Sequence, residues 1–407
     1  MSVNSTLPSE HPYASGIRAL FRTALVIFVI TVSIGILNGT DLVDFDHQTL
    51  MGHVHSGTLG WISLSVFAAS LWLYGESRSV GWHARIAQTL PAAAIITFVT
   101  YVGAFFTTTG VWRPIAGSFA LLVVIAFLVW VIAQYRQVVL SVPRLGVLAA
   151  VTTLAIGAVL GVLLGLEQAG TIDFMPSGVG DAHPAIMVVG FLIPMGMALT
   201  EWRLTPDNVN QVADRAGRIQ IAAPFLGGIM LMTGALLDVV PLIGLSLPLE
   251  IIGVVIFIRR LRAPMRSVDW INDGWGRGAV ATATFLVADI ALLVYIIVRY
   301  KGEVDDAPFH LLLALDHVMF IGVMTNSLFG LVDSAAKYRR WPRIDNVVFL
   351  AINSGLLVFA FGLLFDVTAL KRIGAPIMGT AILIGIATMS SRLFGPVPRN
   401  SPTTFAG

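Results

Sequence analysis

The chain has 407 residues, 56% hydrophobic and 12% charged, with a mean hydropathy of +0.84. An ordinary soluble domain carries about 25% charged residues, so this balance requires lipid around it and makes the bilayer the first expected partner. The net charge of +2 comes from basic residues in short loops, which topology explains, so no nucleic-acid partner is expected; the absence of cysteine excludes disulfides, thiolate metal sites, iron-sulfur clusters and cysteine-attached haem.

Apolar runs long enough to cross about 30 Å of hydrocarbon recur from Ile17 onward and predict twelve transmembrane helices. In chain order they cover about 18–38, 50–74, 84–108, 115–135, 143–168, 181–200, 216–237, 240–260, 277–300, 308–333, 345–366 and 374–395. The fold class is an all-α polytopic membrane bundle, one twelve-helix domain without a separate soluble part. Arg18 and Arg22 open the first run, which is long enough to span and has no small-residue cleavage site after it, so it reads as a retained helix.

The loops on one side hold Arg113, Arg299, Lys301, Lys371 and Arg372, leaving 25 − 5 = 20 basic residues for the other side and the termini, among them Arg259, Arg260, Arg262, Arg266, Lys337, Arg339, Arg340 and Arg343. The positive-inside rule makes the rich side cytoplasmic, with both termini there.

Of the eight histidines, His11 in the N-terminal tail and His83 in a loop read as surface residues. The other six all fall on even-numbered helices near the outer ends: His47, His53 and His55 on the second, His183 on the sixth, His310 and His317 on the tenth. From His53 to His183 is 130 residues and from His183 to His317 is 134, four helices each time. That spacing suggests a pseudo-threefold arrangement of four-helix units, roughly 18–135, 143–260 and 277–395, each with its second helix towards the middle.

Imidazoles inside hydrocarbon need partners, and sets of them face the bundle interior. Without cysteine, haem is the leading reason to gather them, because two histidines on facing helices ligate one iron from both sides. His53 and His55, two residues apart, point about 200° apart around a helix, so they address different clefts, one towards the sixth helix and one towards the tenth. His310 and His317 lie nearly eclipsed, about 10.5 Å apart along the axis; either suits as the tenth-helix ligand, and depth favours His317. The expected ligand set is therefore His53, His55, His183 and His317, with His310 as the alternative.

The stretch Gly52-His53-Val54-His55-Ser56-Gly57-Thr58-Leu59-Gly60-Trp61 resembles the second helix of haem-copper oxidase subunit I relatives, especially the nitric oxide reductase and C-type oxidase branches. His183-Pro184 resembles the histidine-proline pair of their sixth helix, and Asp316-His317-Val318-Met319-Phe320 falls on their haem-bearing tenth. In size and helix number the chain is similar to the NnrS family of membrane haem proteins. The resemblance implies one or two b-type haems, with copper as a further metal, in a multi-pass protein of the bacterial plasma membrane. It also implies electron transfer, or binding or reduction of a diatomic gas such as NO or O2, with an electron donor and either a second copy or a partner subunit open as partners. No histidine lies between His183 and His310, and Ala185 stands where those oxidases carry glutamate.

Other polar residues qualify the picture. Glu250 and Asp289 fall inside apolar runs as proton-relay candidates, with Asn353 in a third run, while Asp181 and Asp316 are placed to orient His183 and His317 by accepting a ring N–H. Gly57 and Gly60 permit close approach of a flat ring or a helix, and Trp61, Trp112, Trp202 and Trp275 are expected in the interfacial belts. Two other function classes fit the same helix count: a secondary transporter, and a protein holding bare copper or zinc on the same histidines.

Overall fold

Lipid offers the backbone no hydrogen bonds, so every crossing must satisfy its own amides, and every apolar run is a membrane-length helix. The computed structural model describes residues 7–8, 10–75, 81–302, 306–336 and 341–394; Lys337, Arg339 and Arg340 lie outside the described residues. The helices are α1 (Ala14–Gly39), α2 (His47–Tyr74), α3 (Trp82–Thr107), α4 (Trp112–Gln137), α5 (Val142–Gln168), α6 (Val179–Leu204), α7 (Arg215–Leu237), α8 (Val240–Arg266), α9 (Trp275–Arg299), α10 (Phe309–Ala335), α11 (Arg343–Leu364) and α12 (Thr368–Phe394). No β-strand occurs among the described residues. The protein is an all-α, multi-pass membrane bundle. Twelve crossings bring the start of α1 and the end of α12 to one face, the terminal face.

The largest boundary differences from the sequence expectation are six residues, at the end of α8 and the start of α12. There the helix continues past the apolar run and carries Arg262, Arg266, Lys371 and Arg372, long cations whose stems lie along apolar surface while their heads reach water. On the face opposite the termini, all six odd helices are followed by a left-handed residue: Asp41, Gly110, Gly170, Asp238, Lys301 and Asp366.

Three helices, α2, α6 and α10, are the most enclosed of the twelve. Each is interrupted by a π-helical segment, over Ser56–Ser63, Ile186–Leu192 and Val318–Thr325. These segments start 130 and 132 residues apart, and that of α10 packs on both others. Helices α4 and α5, α8 and α9, and α12 and α1 also pack together.

Trp61, within the first π segment, is buried, stacks on Phe28 at 4.6 Å, and donates its indole N–H to Thr325 Oγ1 at 3.2 Å. It is a core residue joining α2 to α10, not part of an interfacial belt. Trp202, edge-on to Trp72 at 5.0 Å, and Trp275 are likewise buried, whereas Trp112 is exposed as expected.

Arginines fasten the terminal-face ends of the central helices. Arg144 of α5 donates to the carbonyl of Leu73 at 2.8 Å, Arg260 of α8 pairs with buried Glu201 at 2.7 Å, and Arg392 of α12 pairs with Asp333 at 2.5 Å. Cations at helix C-termini also complement the helix dipole.

Candidate functional site

The π segments set a common register for the histidines. His53 and His183 each stand three residues before a π segment begins, and His55 and His317 each stand one residue before. The neighbour whose charge bears on the His53 imidazole is His317, and His183 bears on His55. Electrostatically the four fall into two couples, each combining one residue of either register, with α2 supplying a histidine to both, His53 towards α10 and His55 towards α6. The 200° divergence expected for His53 and His55 is what this arrangement uses.

Ring orientation is set by the backbone. Nδ1 of His53 donates to Thr31 O of α1 at 2.9 Å, and Nδ1 of His183 to Gly157 O of α5 at 2.9 Å. In His55 and His317 the same atom donates to the carbonyl four residues earlier, Met51 O at 2.8 Å and Leu313 O at 2.7 Å. A carbonyl oxygen can only accept, so Nδ1 carries the proton and the lone pair of the neutral ring rests on Nε2. No hydrogen bond reaches any of the four Nε2 atoms among the described residues.

Glycines make room for the rings. A Cβ on Gly35, one turn beyond Thr31, would lie 3.2 Å from His53 Cε1, and a Cβ on Gly161, one turn beyond Gly157, would lie 2.8 Å from His183 Cε1. Phe105 stacks on His55 at 3.7 Å with 15° between planes, and Phe359 meets His317 edge-on at 4.9 Å. Arg113, over the Phe105 ring at 5.4 Å, is a cation beside the His55 couple. All four histidines are partly buried on the most enclosed helices.

This donor set suits a haem iron. Neutral imidazoles whose Nδ1–H groups are tied to carbonyls and whose Nε2 atoms are without a hydrogen bond are donors that would hold such an iron. Among the described residues no three His, Asp or Glu side chains converge as a tetrahedral metal site would need.

Several expectations are corrected. His310, like the four, donates from Nδ1 to a carbonyl, Leu363 O of α11 at 2.8 Å, and its charge bears on Asp366 in the loop beyond. Asp181 and Asp316 do not orient the ligating rings, because backbone carbonyls already take both Nδ1 protons. Gly57 and Gly60 let α1 approach through Thr31 and Ile27, the helix contact that was one of their two expected uses. His11 is buried, with Nε2 against Trp72 O at 3.2 Å and Nδ1 accepting from Tyr13 N–H at 3.2 Å. His83 is half-buried and stacks on Trp82 at 3.7 Å.

Sequence reasoning missed the π segments and the carbonyl-glycine notches on α1 and α5. The small residues four apart, Thr31 with Gly35 and Gly157 with Gly161, were the available signal, since such spacing marks close approach on membrane helices. A cavity of about 670 Å3 lies elsewhere, an apolar cleft of α4, α5 and α7 near the terminal face with Tyr135 and Arg218 at its edge. It meets none of the histidines. No known protein family matches the chain, and no curated protein is significantly similar to it.

Proposed function

We propose that the chain binds two b-type haems, one between His53 and His317 and one between His55 and His183, and passes electrons between them in the half of the membrane away from the termini. The observation that carries this reading is the pairing of four imidazoles whose Nδ1 protons are fixed on carbonyls and whose Nε2 atoms are free. Bound haem supplies a one-electron iron couple. The protein's part is to present Nε2 from both sides, to hold ring planes through Phe105 and Phe359, and to exclude water by burial among α2, α6 and α10.

Two histidines per site would leave a bound haem iron no position for a gas, which favours electron transfer over gas reduction. The grouping in twos disfavours a bare copper or zinc ion, which takes three or four protein ligands. A transporter gives no reason for matched histidine tautomers. The basic residues favour the terminal face as cytoplasmic, which puts both couples in the outer half of a bacterial plasma membrane, where a one-electron donor is the required partner.

Optical spectra of membranes containing the chain, oxidised and dithionite-reduced, test the reading. Each of H53A, H55A, H183A and H317A should lose about half of the haem absorbance, and H310A none. H53A with H317A should lose no more than either alone, whereas H53A with H183A should lose all. A chain without a Soret band, or four single variants with unchanged spectra, would overturn it.

A further inference from the structure

The register that pairs His55 with His183 and His317 with His53 defines a third place, between α6 and α10, where the corresponding residues are Ala185 and Leu315. Further along the same two helices Gly196 of α6 lies directly against Val323 of α10. Asp289 of α9 stands 26 residues before Leu315, as Gly157 of α5 stands 26 before His183. Where the second unit offers a carbonyl to an imidazole, the third therefore offers a carboxyl.

A second carboxyl meets it from the neighbouring unit. Glu250 of α8 is fully buried against Gly227 of α7, neither of its oxygens has a hydrogen-bond partner, and the charge bearing on it is that of Asp289. Asp289 is 1% exposed and its Oδ1 is also without a partner. The charge bearing on Asp289 is in turn that of Asp316 of α10, and carboxylates buried together at mid-membrane depth with no cation beside them cannot all stay ionised, because desolvating each costs several kcal/mol and they repel one another. At least one proton must be held there.

A narrow opening with a few polar residues in a mostly apolar lining enters the bundle from the terminal face. Asn326, Ser327, Ser334 and Arg203 help to line a vestibule among α6, α9 and α10, with about 20 Å3 of space for water. At its inner end Ser327 Oγ shares a hydrogen bond with Thr282 Oγ1 at 2.9 Å. Thr282 is seven residues from Asp289, on the same face of α9 and about 10.5 Å along its axis.

We propose that Glu250 and Asp289 form an intramembrane proton site that exchanges with water at the terminal face through the vestibule at Ser327 and Thr282. In loading, a proton from vestibule water adds to one carboxylate oxygen, and the resulting O–H donates to the partner carboxylate; in unloading the same bond breaks and the proton returns to water. The site does not require haem, so it stands or falls separately from the electron-transfer reading.

Infrared spectroscopy of the full chain in lipid vesicles tests the site, with the haem spectrum of each sample recorded alongside. A protonated-carboxyl stretching band should be present, should shift on transfer into D2O, and should be lost or displaced in both E250Q and D289N, which conserve shape. T282V and S327A should leave the band in place and slow its shift several-fold. A band that ignores D2O would make the pair a sealed structural acid and overturn the proposal. So would a band unchanged in E250Q and D289N, or exchange in T282V and S327A as fast as in the parent.

Discussion

His53 and His183 each give the Nδ1 proton to a carbonyl of the preceding helix, both at 2.9 Å, from positions three residues ahead of a π segment. Their partners His317 and His55 give the same proton to their own helix from positions one residue ahead. A π turn is uncommon and recurs at functional sites because its wider coil redirects side chains. Here it follows the histidines on all three central helices, fixing two ring directions per helix, of which α2 uses both and α6 and α10 one each.

The glycine notches give a graded prediction. A Cβ on Gly161 would come to 2.8 Å from His183 Cε1, too close without movement, whereas one on Gly35 would come to 3.2 Å from His53, which a few tenths of an ångström relieves. Gly161→Ala should displace the His183 ring and weaken iron binding in that couple alone, while Gly35→Ala should leave the His53 couple nearly intact. Haem content and the reduced spectrum of each variant check this. Equal losses, or a larger one for Gly35→Ala, would contradict the notch geometry.

The bundle was legible because lipid imposes a simple rule: helices, one per apolar run. The even-helix histidines and the divergence of His53 from His55 were also legible, since side-chain direction follows from helical pitch. The partner of each Nδ1 was not. The sequence offers Asp181 and Asp316 beside the ligating rings, yet the protons go to carbonyls of Gly157 and Leu313, and a backbone acceptor leaves no trace in side-chain identity. Trp61 was misplaced for a related reason: rank along a run gives depth only when the helix is regular, and Trp61 sits inside a π segment facing Thr325.

His11 predicts an acid-sensitive N-terminus. Burial pushes its pKa below the usual 6.5, the hydrogen bond to Trp72 O opposes this, and nearby Arg18 adds to the lowering. The folded value lies under the unfolded one, so docking is fully supported above about pH 6.5 and weakens as the pH falls below it. The segment is also held by Leu7 N–H on Ser334 O at 2.8 Å and by buried Tyr13 edge-on to Trp130. Proteolysis within residues 7–13 should quicken between about pH 7 and pH 5 in the parent and lose most of that dependence in His11→Leu. Cleavage independent of pH in the parent would show that His11 does not control docking.

Asp366 predicts a second, weaker pH effect on the opposite face. It turns the chain after α11 with φ of 52°, and accepts from Lys371 Nζ at 3.0 Å. That bond and the Lys371 charge hold its carboxyl below the ordinary range. The contribution is therefore present above the ordinary carboxylate pKa of about 3.9 and disappears as the pH falls through the lowered value. Asp366→Asn keeps a residue that tolerates the left-handed turn and removes the ion pair. Its thermal midpoint should sit slightly below the parent's at neutral pH, converge with it at strongly acid pH, and converge also in high salt. Asp366→Val should be worse at every pH, because a β-branched side chain resists positive φ. An Asn variant as damaging as Val would mean that the charge, not the turn, dominates.

Arg144 predicts where stability and site separate. Its side chain is 1% exposed and donates to three carbonyls, Leu73 at 2.8 Å, Val139 at 3.0 Å and Val209 at 2.8 Å, tying the end of α2 to the approach to α5 and the segment after α6. Tyr74 O–H adds a bond to the Arg144 carbonyl at 2.6 Å. Arg144→Met would leave those three carbonyls without the guanidinium, and at about 1–3 kcal/mol for each of the two fully buried ones, Leu73 and Val209, the variant should lose about 2–6 kcal/mol. Arg144→Lys keeps the charge but not the planar fork, so its loss should be intermediate. The couples at His53 and His55 lie near the other end of α2, about 30 Å along its axis for the roughly 20 residues between, so protein that still folds should keep its haem spectrum. Unfolding in detergent and the optical spectrum, measured on the same samples, decide the matter: an Arg144→Met protein as stable as the parent would show that the three carbonyls find water, and a spectrum lost before stability would show that the terminal-face fastening sets the geometry of the clefts.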